Sequence, residues 1–106
     1  MKIQQLNDAL RTSLSGDLGR VVVTSGVAYL DADTLAQILN AVRTYDQFHE
    51  DIDPYGEHDT GRFTVCCEDY YWKIDYYDSN LEFRFTDPAD PLVTIRVLTI
   101  MRVDEY

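Results

Sequence analysis

Apolar residues near the start of the chain recur at spacings of three and four. Ile3, Leu6, Leu10 and Leu14 fall along one side of a helix predicted over residues 2–14, which Ser15-Gly16 and Gly19 end. Val21-Val22-Val23-Thr24 is a β-branched run and predicts a short buried strand, broken by Ser25-Gly26. The helical period then returns. Asp31 or Asp33 can cap a second helix, and Leu35, Ile38, Leu39, Val42 and Tyr45 continue its apolar face to about Phe48. Residues 49–60, HEDIDPYGEHDT, carry Pro54, Gly56 and many acids and read as a loop.

From residue 63 the period changes to two. Residues 63–67 predict a strand, Glu68-Asp69 a tight turn, and residues 70–77 a second strand of the same hairpin. Tyr70, Trp72, Ile74 and Tyr76 share the face placed in the core; Tyr71, Lys73, Asp75 and Tyr77 share the other. After a turn at Asp78-Ser79-Asn80, Leu81, Phe83 and Phe85 alternate with Glu82 and Arg84, which suggests a third antiparallel strand. The DPADP stretch at 87–91 is a rigid connector, with Asp90 and Pro91 suited to an N-cap and first helical position. The β-branched residues that follow prefer strand, so a brief helical turn leading into a strand near 96–102 is expected. The elements make an α+β fold: an antiparallel sheet of four to five strands with two N-terminal helices packed on one face. The 106 residues suffice for a single domain, 1–106, with its own core.

Charge changes the picture. Residues 1–45 hold four acids and four bases, and residues 91–106 hold two of each. Residues 46–90 hold thirteen acids against Arg62, Lys73 and Arg84, so the whole net charge of −10 lies in that segment. Direct binding of nucleic acid is disfavoured, because affinity for phosphates comes from Lys and Arg patches. The first ten residues show no signal-peptide run, and no stretch approaches the roughly 20 apolar residues a membrane span needs. Cys66 and Cys67, adjacent on the expected strand, would point to opposite faces, one buried and one outward. Two reduced thiols and a cytoplasmic location fit that pattern.

Candidate chemistry is sparse. The DPYGEHD segment sets His58 between Glu57 and Asp59, a set that could hold a divalent metal or pair a His base with a carboxylate. Its spacing matches neither the HExxH nor the EF-hand pattern, and turn chemistry explains the same residues. There is no GxSxG elbow, no CxxC pair and no phosphate-cradling glycine loop, so neither a catalytic residue nor a cofactor is assigned. Tyr70, Tyr71, Trp72, Tyr76 and Tyr77 could stack bases, but acids surround them where a basic groove would be needed.

At WKIDYYD (72–78), DPADP (87–91), VLTIM (97–101) and the C-terminal EY, the chain resembles an uncharacterised bacterial domain family. Thr24-Ser25-Gly26-Val27 matches that family's T-x-G-V, and residues 53–59 match its D-P-x-G-E-H-D segment. Ile52, Tyr55 and Thr60 stand where the family pattern has an Asn, a His and an aromatic residue. The resemblance implies relatives across nearly the whole chain and no activity.

Carboxylates two apart on a strand lie roughly 6.5–7 Å apart on one face, so strands and an acidic loop can imitate a nucleic-acid backbone. The expected function is therefore an acidic binding protein, an inhibitor of anti-CRISPR or anti-restriction type that occupies a basic, nucleic-acid-binding site on a partner protein. The acids nominated for that contact are Glu50, Asp51, Asp53, Glu57, Asp59, Asp69, Asp75, Asp78 and Glu82. The alternatives are a small metal-dependent or acid–base enzyme centred on Glu57, His58 and Asp59, and a homodimer pairing an exposed strand edge.

Overall fold

The computed structural model of the chain describes residues 3–78 and 87–106. Helix α1 (Ile3–Ser13) follows the expected stripe and buries Asn7, Leu10 and Arg11. It ends at Leu14, whose φ of 52° is left-handed and whose N–H donates to the Leu10 carbonyl. Strand β1 (Arg20–Val23), a single helical turn α2 (Ser25–Ala28) and helix α3 (Ala32–Arg43) come next. Asp31 is the α3 cap: its carboxylate accepts from the Thr34 N–H at 3.1 Å and the Thr34 hydroxyl at 2.7 Å, bonds that hold its pKa below the ordinary value. Helix α3 stops at Thr44 instead of running to about Phe48. Arg11 Nη1 reaches over from α1 to the Val42 and Arg43 carbonyls, at 2.9 and 3.2 Å, and satisfies the orphan acceptors of that terminus.

Strands β2 (Thr60–Val65), β3 (Glu68–Tyr77) and β4 (Ile95–Arg102) complete a sheet of order β1-β4-β3-β2. The fold is α+β as expected, but the sheet is mixed. β4 is antiparallel to β3 and parallel to β1. A parallel pair needs a long crossover, and α2, α3 and the β2–β3 hairpin all lie between these two strands in sequence. The apolar content of β1 carries no information about the direction of its partner. Being at the sheet edge, β1 is also less buried than its run of valines predicts: Val22 and Val23 are exposed.

Register aligns the core. Trp72 lies opposite Ile100, and Ile74 opposite Leu98. Leu10 of α1, Val27 of α2, and Ile38 and Val42 of α3 join these residues, Tyr45, Val65 and Tyr70 in one buried cluster. The faces assigned to β3 are the observed ones, with Tyr70, Trp72 and Ile74 buried.

The β2–β3 turn falls two residues earlier than its sequence suggests. Glu68 and Asp69 belong to β3, and the two-residue loop is Cys66-Cys67, with φ of 51° and 67°. Both values are positive, as a type I′ hairpin turn demands. For residues other than Gly and Asn such a conformation costs about 1–2 kcal/mol each. Both thiols are free and both are exposed, so neither cysteine is the buried one expected. The third antiparallel strand and its turn, expected over residues 78–85, lie outside the described residues beyond Asp78. Residues 87–94 form turns in which Asp87 accepts from the Ala89 N–H and Asp90 from the Leu92 N–H, and strand begins at Ile95.

The C-terminal turn Val103–Glu105 is fastened to α2. The Glu105 carboxylate accepts from the Thr24 hydroxyl at 2.6 Å, the Gly26 N–H at 2.9 Å and the Arg102 N–H at 3.0 Å. Gly26 leaves room for this approach, since a Cβ there would lie 2.6 Å from Glu105 Oε1 and push the carboxylate aside. The Thr24 hydroxyl, then the Arg102 N–H, hold the Glu105 pKa below the ordinary 4.5. A depressed acid contributes stability that is present above the unfolded pKa and lost as pH falls through the folded one. Glu105→Gln should therefore lower the thermal midpoint at pH 7, with the gap to the parent closing as pH falls below about 4; a gap independent of pH would contradict this.

Candidate functional site

The acidic segment between α3 and β2 is built around Asp53. Its side chain is 6 % exposed, and its carboxylate accepts from the Glu57 N–H at 3.0 Å and the His58 N–H at 3.3 Å. The chain turns back at His49, whose carbonyl accepts from the Ile52 and Asp53 N–H groups. Asp53 thus organises the loop from inside.

His58 closes the loop onto α1. Its ring stacks on Phe48 with centroids 3.7 Å apart, and Nδ1 lies 2.9 Å from Asp8 Oδ1. Nε2 lies 2.9 Å from Gln4 Nε2. Nδ1 donates to Asp8 when it carries the proton, and Nε2 faces the Gln4 amide and lies 3.8 Å from Asp53 Oδ2. Asp8 also pairs with Arg11 at 3.1 Å. The Arg11 guanidinium carbon sits 5.4 Å from the centroids of both Phe48 and Trp72.

A second lock lies deeper. Asn7 is fully buried; its amide donates to the Glu57 carbonyl at 3.0 Å and the Tyr76 hydroxyl at 2.8 Å, and its carbonyl accepts from Arg96 Nε at 2.7 Å. Arg96 is 3 % exposed, donates also to the Pro88 carbonyl, and has no carboxylate partner among the described residues. Burial lowers its pKa and pushes the Tyr76 hydroxyl up to about 12. Asn7 and Arg11 lie on the same helical stripe as Ile3, Leu10 and Leu14. Polar residues at core positions were the available sign of this network, and reading the stripe from its apolar members alone passes over them.

The nominated acids separate by environment. Asp53 is internal to the turn. Asp69 pairs with Arg62 at 2.7 Å and accepts from the Thr64 hydroxyl, and Asp75 pairs with Lys73 at 3.0 Å. Asp78 is half-buried, and Glu82 lies outside the described residues. Glu50 and Asp51 are exposed on the loop. Glu57 and Asp59 are half-buried, and neither has a Lys or Arg partner among the described residues. Desolvation raises the pKa of both; Asp59 and Asp53 raise Glu57 further, and Asp53 and Asp75 raise Asp59. Among the described residues no group of three or more His, Cys, Asp and Glu side chains is placed to hold a metal ion. Neither Glu57 nor Asp59 forms an ion pair with His58, whose ring nitrogens face Asp8 and Gln4. No described helix is long and apolar enough to cross a membrane.

Fold and site together define a small α+β domain in which a carboxylate-rich loop is held to the first helix by a buried asparagine and a histidine, with Arg11 lying over Phe48 of the loop and Arg96 bracing Asn7 from β4. The chain belongs to the family described as "Protein of unknown function (DUF3768)", which it matches over residues 23–105. No curated protein and no solved structure matches it. In the GEHD stretch the Glu57 and His58 N–H groups bond the Asp53 carboxylate, DPADP supplies turn caps and an acceptor for Arg96, and Glu105 of the final EY ties β4 to α2.

Proposed function

We propose that this protein is an acidic binding domain, an inhibitor in the style of a nucleic-acid mimic, whose loop 46–59 enters a basic site on a nucleic-acid-binding partner protein. The observation that carries this reading is the Glu57–Asp59 environment. Two carboxylates are held in partly desolvated positions, each destabilised by neighbouring acids and neither neutralised by a described Lys or Arg. Such an arrangement costs folding stability, and a cationic partner surface would relieve it. Exposed Asp46, Glu50 and Asp51 extend the negative field along the same loop. Asp53, Asp69 and Asp75 already have hydrogen-bond or ion-pair partners within the fold, Asp78 and Glu82 lie outside the loop, and the proposed contact is therefore Glu50, Asp51, Glu57 and Asp59.

Two variants test this. Glu57→Gln with Asp59→Asn should raise the unfolding midpoint in urea at pH 7. For an acid with a raised folded-state pKa, the penalty is present above the folded pKa and vanishes below the unfolded one. The gain should therefore disappear as pH falls towards about 4. With Glu50→Gln and Asp51→Asn added, the protein, immobilised in host lysate, should lose a basic nucleic-acid-binding partner that the parent retains at low salt and releases at high salt. A partner held equally by parent and variant, or one indifferent to salt, would remove the proposal.

A further inference from the structure

The Cys66-Cys67 turn carries chemistry that neither the fold nor the acidic loop uses. Both side chains are exposed, so the two residues contribute nothing to the core. Both occupy positive φ, where Asn-Gly is the favoured pair of a two-residue hairpin. A conformationally costly residue pair at an exposed position points to a role for its side chains.

Geometry gives the thiols a joint role. On an extended strand, neighbouring side chains point to opposite faces. The left-handed backbone of this turn mirrors helical geometry, so successive side chains diverge by only about 100°, from Cα atoms about 3.8 Å apart. Two sulfurs on this frame can converge on one atom in front of the turn. Direct joining of the same two sulfurs is disfavoured, because a disulfide prefers Cα atoms about 5.5–6 Å apart. Cys66 Sγ makes one weak contact, 3.9 Å to Gln37 Oε1, and Cys67 borders an open depression of ≈ 250 Å³ with Glu68, Asp69, Arg102, Val103 and Asp104. The pairing of Val65 with Glu68 fixes the turn from below, so the backbone that carries the two thiols is set before any ligand arrives.

We infer that Cys66 and Cys67 form an exposed vicinal dithiol that captures a soft, thiophilic centre accepting two sulfurs, such as trivalent arsenic. With an organoarsenic dihydroxide the step is a double exchange. Two S–H and two As–O bonds break, two As–S bonds form, and two water molecules leave, with no change of oxidation state. Soft thiolate donors select such centres over the hard cations that carboxylates bind.

The test uses the purified reduced full chain and phenylarsine oxide as probe. The parent should form a one-to-one adduct by intact mass, lose both titratable thiols, resist millimolar monothiol and release the arsenical to a dithiol. Cys66→Ser and Cys67→Ser, each left with one sulfur, should bind at least about 100-fold more weakly, the factor expected when a second contact becomes intramolecular. Cys66→Asn with Cys67→Gly controls for folding, because it suits the turn better; it should unfold at higher temperature and form no adduct. Equal affinity in the parent and either single variant, or an adduct that monothiol removes from the parent, would overturn the inference. So would an adduct that persists in the Asn-Gly variant.

Discussion

Asn7→Leu is expected to destabilise the protein by about 3 kcal/mol or more, because a buried group left without its hydrogen-bond partner costs about 1–3 kcal/mol and a charged one costs more. The substitution keeps the branched heavy-atom skeleton and removes every polar atom of the side chain. Arg96 then loses the acceptor for Nε while 3 % exposed, and the Tyr76 hydroxyl and Glu57 carbonyl lose a buried donor. A small domain is stable by about 5–15 kcal/mol, so roughly a fifth or more of the total would go. Urea unfolding, followed by the single tryptophan, measures the effect. Combining Asn7→Leu with Arg96→Met should recover part of the loss, because the uncompensated cation is gone. A loss below about 1 kcal/mol for Asn7→Leu would mean that the network contributes little beyond packing.

Gly61→Ala is the second large effect, expected to cost about 1–3 kcal/mol or more through overpacking. Gly61 lies opposite Trp72 in the β2–β3 ladder, and a Cβ there would sit 2.6 Å from Tyr45 Cζ and against Trp72 Nε1. Neither ring can move away readily. Trp72 is fully buried, and Tyr45 is 8 % exposed and packed edge-on against it with centroids 5.5 Å apart. Strand β2 would have to shift relative to β3, and the near-ultraviolet circular dichroism of Trp72 should change along with the urea midpoint. An unchanged spectrum with an unchanged midpoint would show that the ladder absorbs a methyl group without strain.

Both predictions rest on residues whose importance was only partly legible. Gly61 reads from sequence as an ordinary loop-to-strand boundary; its necessity comes from Trp72 and Tyr45, 11 and 16 residues away in the chain. Asn7 sits inside a correctly anticipated helix, yet its partners Glu57, Tyr76 and Arg96 come from three other parts of the chain. The turn at Cys66-Cys67 was displaced for a different reason. Acidic residues are common in turns, and cysteine is rare at positive φ, so local propensity favoured Glu68-Asp69 while the sheet register required the earlier pair.

What the sequence determined by itself was whatever depends on neighbours within a few residues. The helical stripe of Ile3 to Leu14, an aspartate cap at 31 or 33, the inward face of Tyr70, Trp72 and Ile74, the turn before β4 and the crowding of charge into residues 46–90 all follow from local spacing and composition. Tertiary structure decided the rest. It placed β4 between β1 and β3 and so made the sheet mixed, ended α3 with an arginine from another helix, and separated the acids with hydrogen-bond or ion-pair partners from those without a described cation. The physical reason is that strand direction, helix-end satisfaction and ion pairing are settled by groups distant in the chain, whose positions are fixed only when the common core around Trp72 closes.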